Sequence, residues 1–176
     1  MNKVTLKPLT PGNLSPFYTW LNDEEVIKYS LSLFQKLNSK SEIENWYKTL
    51  LENKNNDLQF GIYLKESSKF VGYCGICNIS KNKGEGEYFI FIGDKTQWGK
   101  GISSFVTSEI IKIGFDKLEL ERIFLTVSEP NIGGIKSYER AGFKQIDIIK
   151  NASFRENKFH NKLVMEIYNH DRANAS

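Results

Sequence analysis

One stretch limits this chain more than any other: FIFIGDKTQWGKGISSFVTSEIIKIGF, residues 89–115. An apolar run stops at a charged turn, Gly99 and Gly101 flank Lys100, and Ile102, Phe105, Val106, Ile110 and Ile113 then recur at intervals of three and four. A strand must therefore hand over to an amphipathic helix through nearly bare backbone. The N-terminus of a helix leaves four backbone N–H groups without intrahelical partners and carries the positive end of the macrodipole, so it attracts anions. Gly99 and Gly101 let the backbone curl around a phosphate that a Cβ would hold away, and Ser103 or Ser104 can add a hydroxyl. A pyrophosphate is the ligand this geometry suits, although Gly-x-Gly is also ordinary loop punctuation and needs context.

Two familiar phosphate loops are excluded by spacing. The G-x-x-x-x-G-K-[ST] pattern fails because Gly93 and Gly99 are one residue too far apart and Lys100 is followed by Gly101. The dinucleotide pattern G-x-G-x-x-G fails at Ser104, and it belongs after the first strand of a parallel βαβ unit, whereas this loop follows the fourth strand of a predicted meander.

The rest of the chain supplies that meander. VTLKPLT alternates as a first strand and stops at Pro11-Gly12, and LSPFYTWLNDEEVIKYS predicts a helix whose charged second half forms a further short turn. SKSEIENWYKTLLEN, capped at Ser39 or Ser41, places Ile43, Trp46, Tyr47, Leu50 and Leu51 on one stripe. Three strands follow (LQFGIYLKE, KFVGYCGICNIS, EGEYFIFIG), then the glycine-led helix, the strand RIFLTVSEPN, a short helix in NIGGIKSYERAGF ended by Gly142, and a closing hairpin around RENK. The order β-α-α-β-β-β-α-β-α-β-β predicts an α/β (α+β) fold on a mostly antiparallel six- to seven-stranded sheet with about four helices. At 176 residues it reads as one domain over 1–170 with a short polar tail at 171–176.

Composition excludes several classes. The chain is 40% hydrophobic and 26% charged, and no run approaches the roughly 18 apolar residues of a membrane helix. The expectation is a cytoplasmic protein without membrane contact, since MNKVTLKPLT has no secretory apolar core. Net charge is +3 and dispersed, so no nucleic-acid partner is expected. Cys74 and Cys77 form C-x-x-C, but the only histidines are the distant His160 and His170, so no metal is expected and both thiols read as structural.

GDKTQWGKGISSFVTSEIIKIGF, LTVSEPNIGGIKSYERAGF and FHNKLVMEIY together closely resemble the GCN5-related N-acetyltransferase (GNAT) superfamily, especially the branch of ribosomal-protein alanine and serine N-acetyltransferases; YTWLNDEEV is similar to that branch's opening. The resemblance implies direct transfer of acetyl from acetyl-CoA, as cosubstrate, to a primary amine, without a covalent enzyme intermediate. It implies cofactor contacts from the loop Trp98, Gly99, Lys100, Gly101, Ile102, Ser103 and Ser104, from backbone groups of Ile90, Phe91 and Ile92 on a splayed strand, and from Asn131. Trp98 stands where the family usually has Gln or Arg, and Ser103 where it has Gly or Ala. Tyr138 falls where the family places a general acid for the thiolate. Glu87 matches the place of a carboxylate base near the acceptor amine, which a hydrophobic surround would have to raise in pKa. At His160 the branch's Tyr-His-Asp segment reads Phe-His-Asn, which weakens a carboxylate role there.

The acceptor is expected to be shaped by residues 14–53, with a protein N-terminus ahead and an amino sugar (nucleotide-linked forms included), polyamine or aminoglycoside as alternatives. Trp20, Tyr29, Phe34, Trp46 and Tyr47 there serve either core packing or a stacking surface for a sugar. A non-catalytic coenzyme A binding module is the rival of another class, and a monomer or homodimer is expected.

Overall fold

The computed structural model describes residues 3–30, 33–37, 39–155 and 158–170, apart from the side chains of Ser153 and Arg155. The expected tail at 171–176 and the Glu156-Asn157 tip of the closing hairpin lie outside the described residues. The elements run β1 (Val4–Lys7), a 3-10 turn (Pro11–Asn13), α1 (Ser15–Trp20), α2 (Glu24–Ile27), α3 (Lys40–Glu52), β2 (Leu58–Leu64), β3 (Phe70–Ser80), β4 (Glu85–Ile92), a second 3-10 turn (Lys95–Gln97), α4 (Ile102–Leu118), β5 (Arg122–Ser128), α5 (Ile132–Arg140), β6 (Lys144–Arg155) and β7 (Lys158–Tyr168). This is the expected order, with the charged end of the first helical segment forming its own short helix.

Seven strands are hydrogen-bonded in the order β1-β2-β3-β4-β5-β7-β6. β1–β2, β5–β7 and β6–β7 pair antiparallel, and β4–β5 pair parallel. The expected mixed α/β architecture is the one observed, with five helices among the described residues against the four or so predicted. No helix there is long and apolar enough to cross a membrane. Contacts gather into two compact units, Met1–Gly75 with Ile90–Ile102, and Ile76–Phe89 with Ser103–Ser176.

The first unit has an aromatic core. Phe17 of α1 is fully buried and meets Trp20, Trp46, Tyr47, Tyr73 and Phe91 at centroid distances of 5.1–6.1 Å. Burying one such ring contributes about 2–3 kcal/mol before its edge-to-face contacts are added. Of the five aromatics with two expected uses, Trp20, Phe34 and Tyr47 are buried and Trp46 is half-buried against Phe17 and Phe34. They are packing residues; Tyr29, half-buried with Lys28 over its ring, stands apart. α3 starts at Ser39, whose hydroxyl accepts from Glu42 N–H while the Glu42 carboxylate accepts from Ser39 N–H, a reciprocal cap.

The second unit has an aliphatic core of Ile76, Val106, Ile110, Ile123, Leu125, Met165 and Ile167, all nearly inaccessible. The buried face of α4 is rotated from the expected stripe: Ile102, Val106, Ile110, Ile111 and Phe115 are buried, while Phe105 and Ile113 are only half-buried. Gly114 explains the rotation. A Cβ there would lie 2.7 Å from Ile123 Cδ1 and from Ile76 Cδ1, so the helix descends onto the strands at a residue without a side chain.

Candidate active site

In the first unit the end of β4 is bent and then clamped. Gly93 and Asp94 both donate their N–H groups to Val71 O, at 3.0 and 3.2 Å, which turns the strand end as a bulge does. Gly93 admits no side chain, because a Cβ would sit 2.0 Å from the Trp20 ring. The buried Asp94 carboxylate caps the following turn by accepting from Thr96 N–H (3.1 Å) and Thr96 Oγ1 (2.6 Å), and Lys69 Nζ lies 2.7 Å from its other oxygen. Burial alone would raise this carboxyl's pKa, but the bonds from Lys69 and Thr96 outweigh it and hold the group below its ordinary value. Lys95 is held by Asp23 at 2.7 Å and Glu25 at 3.0 Å.

The expected cofactor residues of this unit fall on either side of that clamp. Phe91 turns its ring into the aromatic core, stacked near Phe17 and edge-on to Phe34, so only its backbone is available to a ligand. Ile90 and Ile92 are half-buried. Trp98, 40% exposed, donates Nε1–H to Ile92 O at 2.9 Å. Lys100 reaches back to Gln97 Oε1 at 3.3 Å. Gly99 and Gly101 have φ of +72° and +78°, the left-handed region that glycine enters freely, and nothing lies within 4 Å of where a Cβ would be on either. The backbone there faces open space, as a cradle for a bulky anion requires, and Ile102 opens α4 directly behind it.

In the second unit, Ser103 and Ser104 do not simply face solvent. Ser137 Oγ of α5, itself buried, donates to Ser103 Oγ at 2.9 Å and lies 3.2 Å from Ser104 Oγ. Since Ser137 has one proton, Ser104 is the donor in the second bond. Thr107 donates to Ser103 O at 2.8 Å and takes its own bond from Tyr88 OH at 2.9 Å. Sequence reasoning missed Ser137, Thr107 and Tyr88.

Asn131 caps α5, its side chain accepting from Gly134 N–H at 3.0 Å. Tyr138, on the next turn, is half-buried and edge-on to Tyr88 and Phe143 at 6.0 and 6.1 Å. Burial pushes its hydroxyl up to about 12, so the proton stays on at neutral pH. Glu87 is half-buried and accepts from Asn78 Nδ2 at 2.8 Å. The parallel β4–β5 ladder ends at Glu87↔Phe124, although both strands continue beyond it. His160 is half-buried opposite Ser153 on the hairpin. Cys74 is buried, its thiol pushed up by desolvation, and Cys77 is half-buried; no group of three or more His, Cys, Asp or Glu able to hold a metal occurs among the described residues.

Residues 3–144 match the family model described as Acetyltransferase (GNAT) domain. The chain belongs to this family. It is 27% identical over 150 residues to the uncharacterised N-acetyltransferase p20 of Bacillus licheniformis, covering 84% of this chain and 83% of that one. It is 23% identical over 164 residues to an N-acetyltransferase 9-like protein of Caenorhabditis briggsae, covering 88% and 80%. Among solved structures it is similar to the spermidine N-acetyltransferase of Vibrio cholerae in complex with CoA and spermine, with TM-score 0.86, 20% identity and coverage of 98% and 99%. A dodecameric form of that Vibrio cholerae enzyme matches with TM-score 0.81, 22% identity and coverage of 100% and 99%. The GNAT chain is thus an acetyltransferase. These relatives do not single out the ribosomal-protein branch.

Proposed function

We propose that this acetyltransferase uses acetyl-CoA to acetylate a primary amine of a small polyamine. The observation that carries the acceptor is the likeness, over 98% of the chain, to a spermidine N-acetyltransferase holding CoA and spermine. The charge of the acceptor region agrees: residues 14–53 hold six acidic side chains against four lysines in a chain of net charge +3, the right sign for a polycation. Trp20, Phe34, Trp46 and Tyr47 of this region are used in packing, which leaves Tyr29 alone of the five for stacking and argues against a sugar-stacking acceptor. A protein N-terminus, ahead on motif likeness, therefore becomes the second reading. The dodecameric neighbour likewise argues for an assembly larger than the expected monomer or homodimer.

When bound, acetyl-CoA supplies an activated thioester carbonyl. In this reading the N–H groups of residues 99–104, at the open cradle and the N-terminus of α4, hold the pyrophosphate, with the loop residues Trp98, Gly99, Lys100, Gly101, Ile102, Ser103 and Ser104 forming its walls. Backbone groups of Ile90, Phe91 and Ile92 orient the acyl arm, and Asn131 fixes the start of the helix that carries Tyr138. Tyr138 keeps its proton at neutral pH and offers it to the leaving sulfur. Glu87, directly or through water, takes the proton an alkylammonium acceptor must lose before it can attack.

The test is CoA release by purified protein across spermidine, spermine, putrescine, N-terminal peptides and amino sugars. Polyamine turnover with kcat/KM at least tenfold above the peptides is expected. Preference for peptides would return the protein N-terminus to first place, and CoA binding without turnover of any amine would leave a non-catalytic module.

A further inference from the structure

Trp98 stands where polar side chains are usual in the family, yet its indole N–H is spent inside the chain. It donates to Ile92 O, the last carbonyl of β4, at 2.9 Å. Everything between the two residues is fixed. Gly93 is pressed against Trp20, Asp94 is tied to Val71 O, Thr96 and Lys69, Lys95 is held by Asp23 and Glu25, and the Gln97 and Trp98 N–H groups bond to Asp94 O and Lys95 O at 3.0 and 3.2 Å. After Trp98 come two left-handed glycines with no neighbouring atom within 4 Å of either Cβ position, and Lys100 between them reaches back to Gln97. Trp98 is the boundary between a strand end tied by many bonds and an open glycine loop.

We infer that Trp98 is a positioning residue: its N–H bond to Ile92 O sets the glycine loop at a fixed height over the end of β4, so that one cofactor meets both. This rests on the reading that the loop holds the pyrophosphate and β4 the acyl arm. The bond does two things. It supplies a donor to the terminal carbonyl of the strand, fixing the orientation of that peptide plane, and it anchors the loop at the residue before its first glycine. A loop released at Trp98 samples many heights, and ordering it on binding costs affinity. The cost falls on cofactor capture rather than on the chemical step, because the cofactor, once bound, re-imposes the geometry.

Trp98→Phe keeps an aromatic, though smaller, side chain in place and removes the donor. Expected are a five- to twentyfold rise in the KM for acetyl-CoA, a matching weakening of CoA binding by calorimetry, kcat within about twofold, and faster hydrogen exchange of the amides of residues 99–104 in the ligand-free protein. Trp98→Ala, which also removes the ring, should weaken CoA further. CoA affinity and exchange unchanged in Trp98→Phe would overturn the inference, as would a fall in kcat with KM unchanged. If the parent protein binds no CoA, the functional reading fails instead, and exchange at residues 99–104 still reports on the anchor.

Discussion

Residues 93–98 and residues 99–101 are neighbours in sequence and opposites in construction. In the first segment nearly every polar group is engaged: Asp94 with three partners, Lys95 with two carboxylates, Trp98 with Ile92 O. In the second, the chain offers no contact within 4 Å of either glycine's Cβ position and adopts backbone conformations that other residues avoid. Rigid support beside an open cradle is what a site for a flexible, anionic cosubstrate calls for. The support removes the entropy cost of aligning the strand, and the cradle leaves the amides unhindered. Glycine thus does two different jobs six residues apart: at Gly93 it yields space to Trp20, and at Gly99 and Gly101 it supplies a backbone shape.

That contrast is broken most sharply by exchanging the kind of damage done to each part. Gly93→Ala forces a methyl to within 2.0 Å of the Trp20 ring, and the strand or the ring must shift. It is expected to destabilise the protein by about 3 kcal/mol, seen as a melting temperature lower by about 10 °C in calorimetry. Gly101→Asp has open space at its Cβ but sets a carboxylate where the pyrophosphate is proposed to lie. The KM for acetyl-CoA should rise roughly 100-fold or more, while the melting temperature falls by only about 3 °C. A Gly101→Asp enzyme with the parent's KM would show that the loop does not hold the cosubstrate.

How much of this was legible beforehand depends on the range of each interaction. The strand–glycine–helix passage, a serine cap at Ser39 or Ser41 and the five helix-and-turn segments are local grammar, written within four residues, and the structure selects Ser39. The order of elements along the chain followed from that grammar and the apolar periodicity, whereas the place of β7 between β5 and β6 is a long-range pairing that neither contains. The rotation of α4 was not legible, because it depends on Ile76 and Ile123 meeting a particular glycine. Ser137 was hidden for the same reason, being 33 and 34 residues away from its partners. Glu87 was legible as a candidate, but its partner Asn78, nine residues away on the neighbouring strand, was not.

Tyr138→Phe probes the second unit's contribution to chemistry. If the hydroxyl donates to the leaving sulfur, kcat should fall roughly 100-fold with the KM values little changed. Burial raises the hydroxyl to about 12, so the group stays protonated through the ordinary range and no alkaline loss of kcat from this source is expected below about pH 10. A parent enzyme whose kcat falls near pH 8 by loss of a proton absent from the Phe variant would assign Tyr138 a lower pKa than its buried setting implies.

The smallest effect belongs to Ser137. Its hydroxyl gives a proton to Ser103 and takes one from Ser104, so it joins the first turn of α4 to the helix bearing Tyr138. Ser103 itself departs from the family's usual Gly or Ala, and Ser137 is the partner that gives its hydroxyl a use. Ser137→Ala removes two bonds at a buried position but leaves Ser103 and Ser104 at a helix start where water can reach them, so the loss should be about 1 kcal/mol, or some 2–4 °C in melting temperature. Ser103→Ala removes one of the same bonds, and the double variant should lose less than the sum of the two singles, because the shared bond can be broken only once. Full additivity would mean that the two hydroxyls act separately and that the Ser103–Ser137 bond contributes nothing to joining α4 and α5.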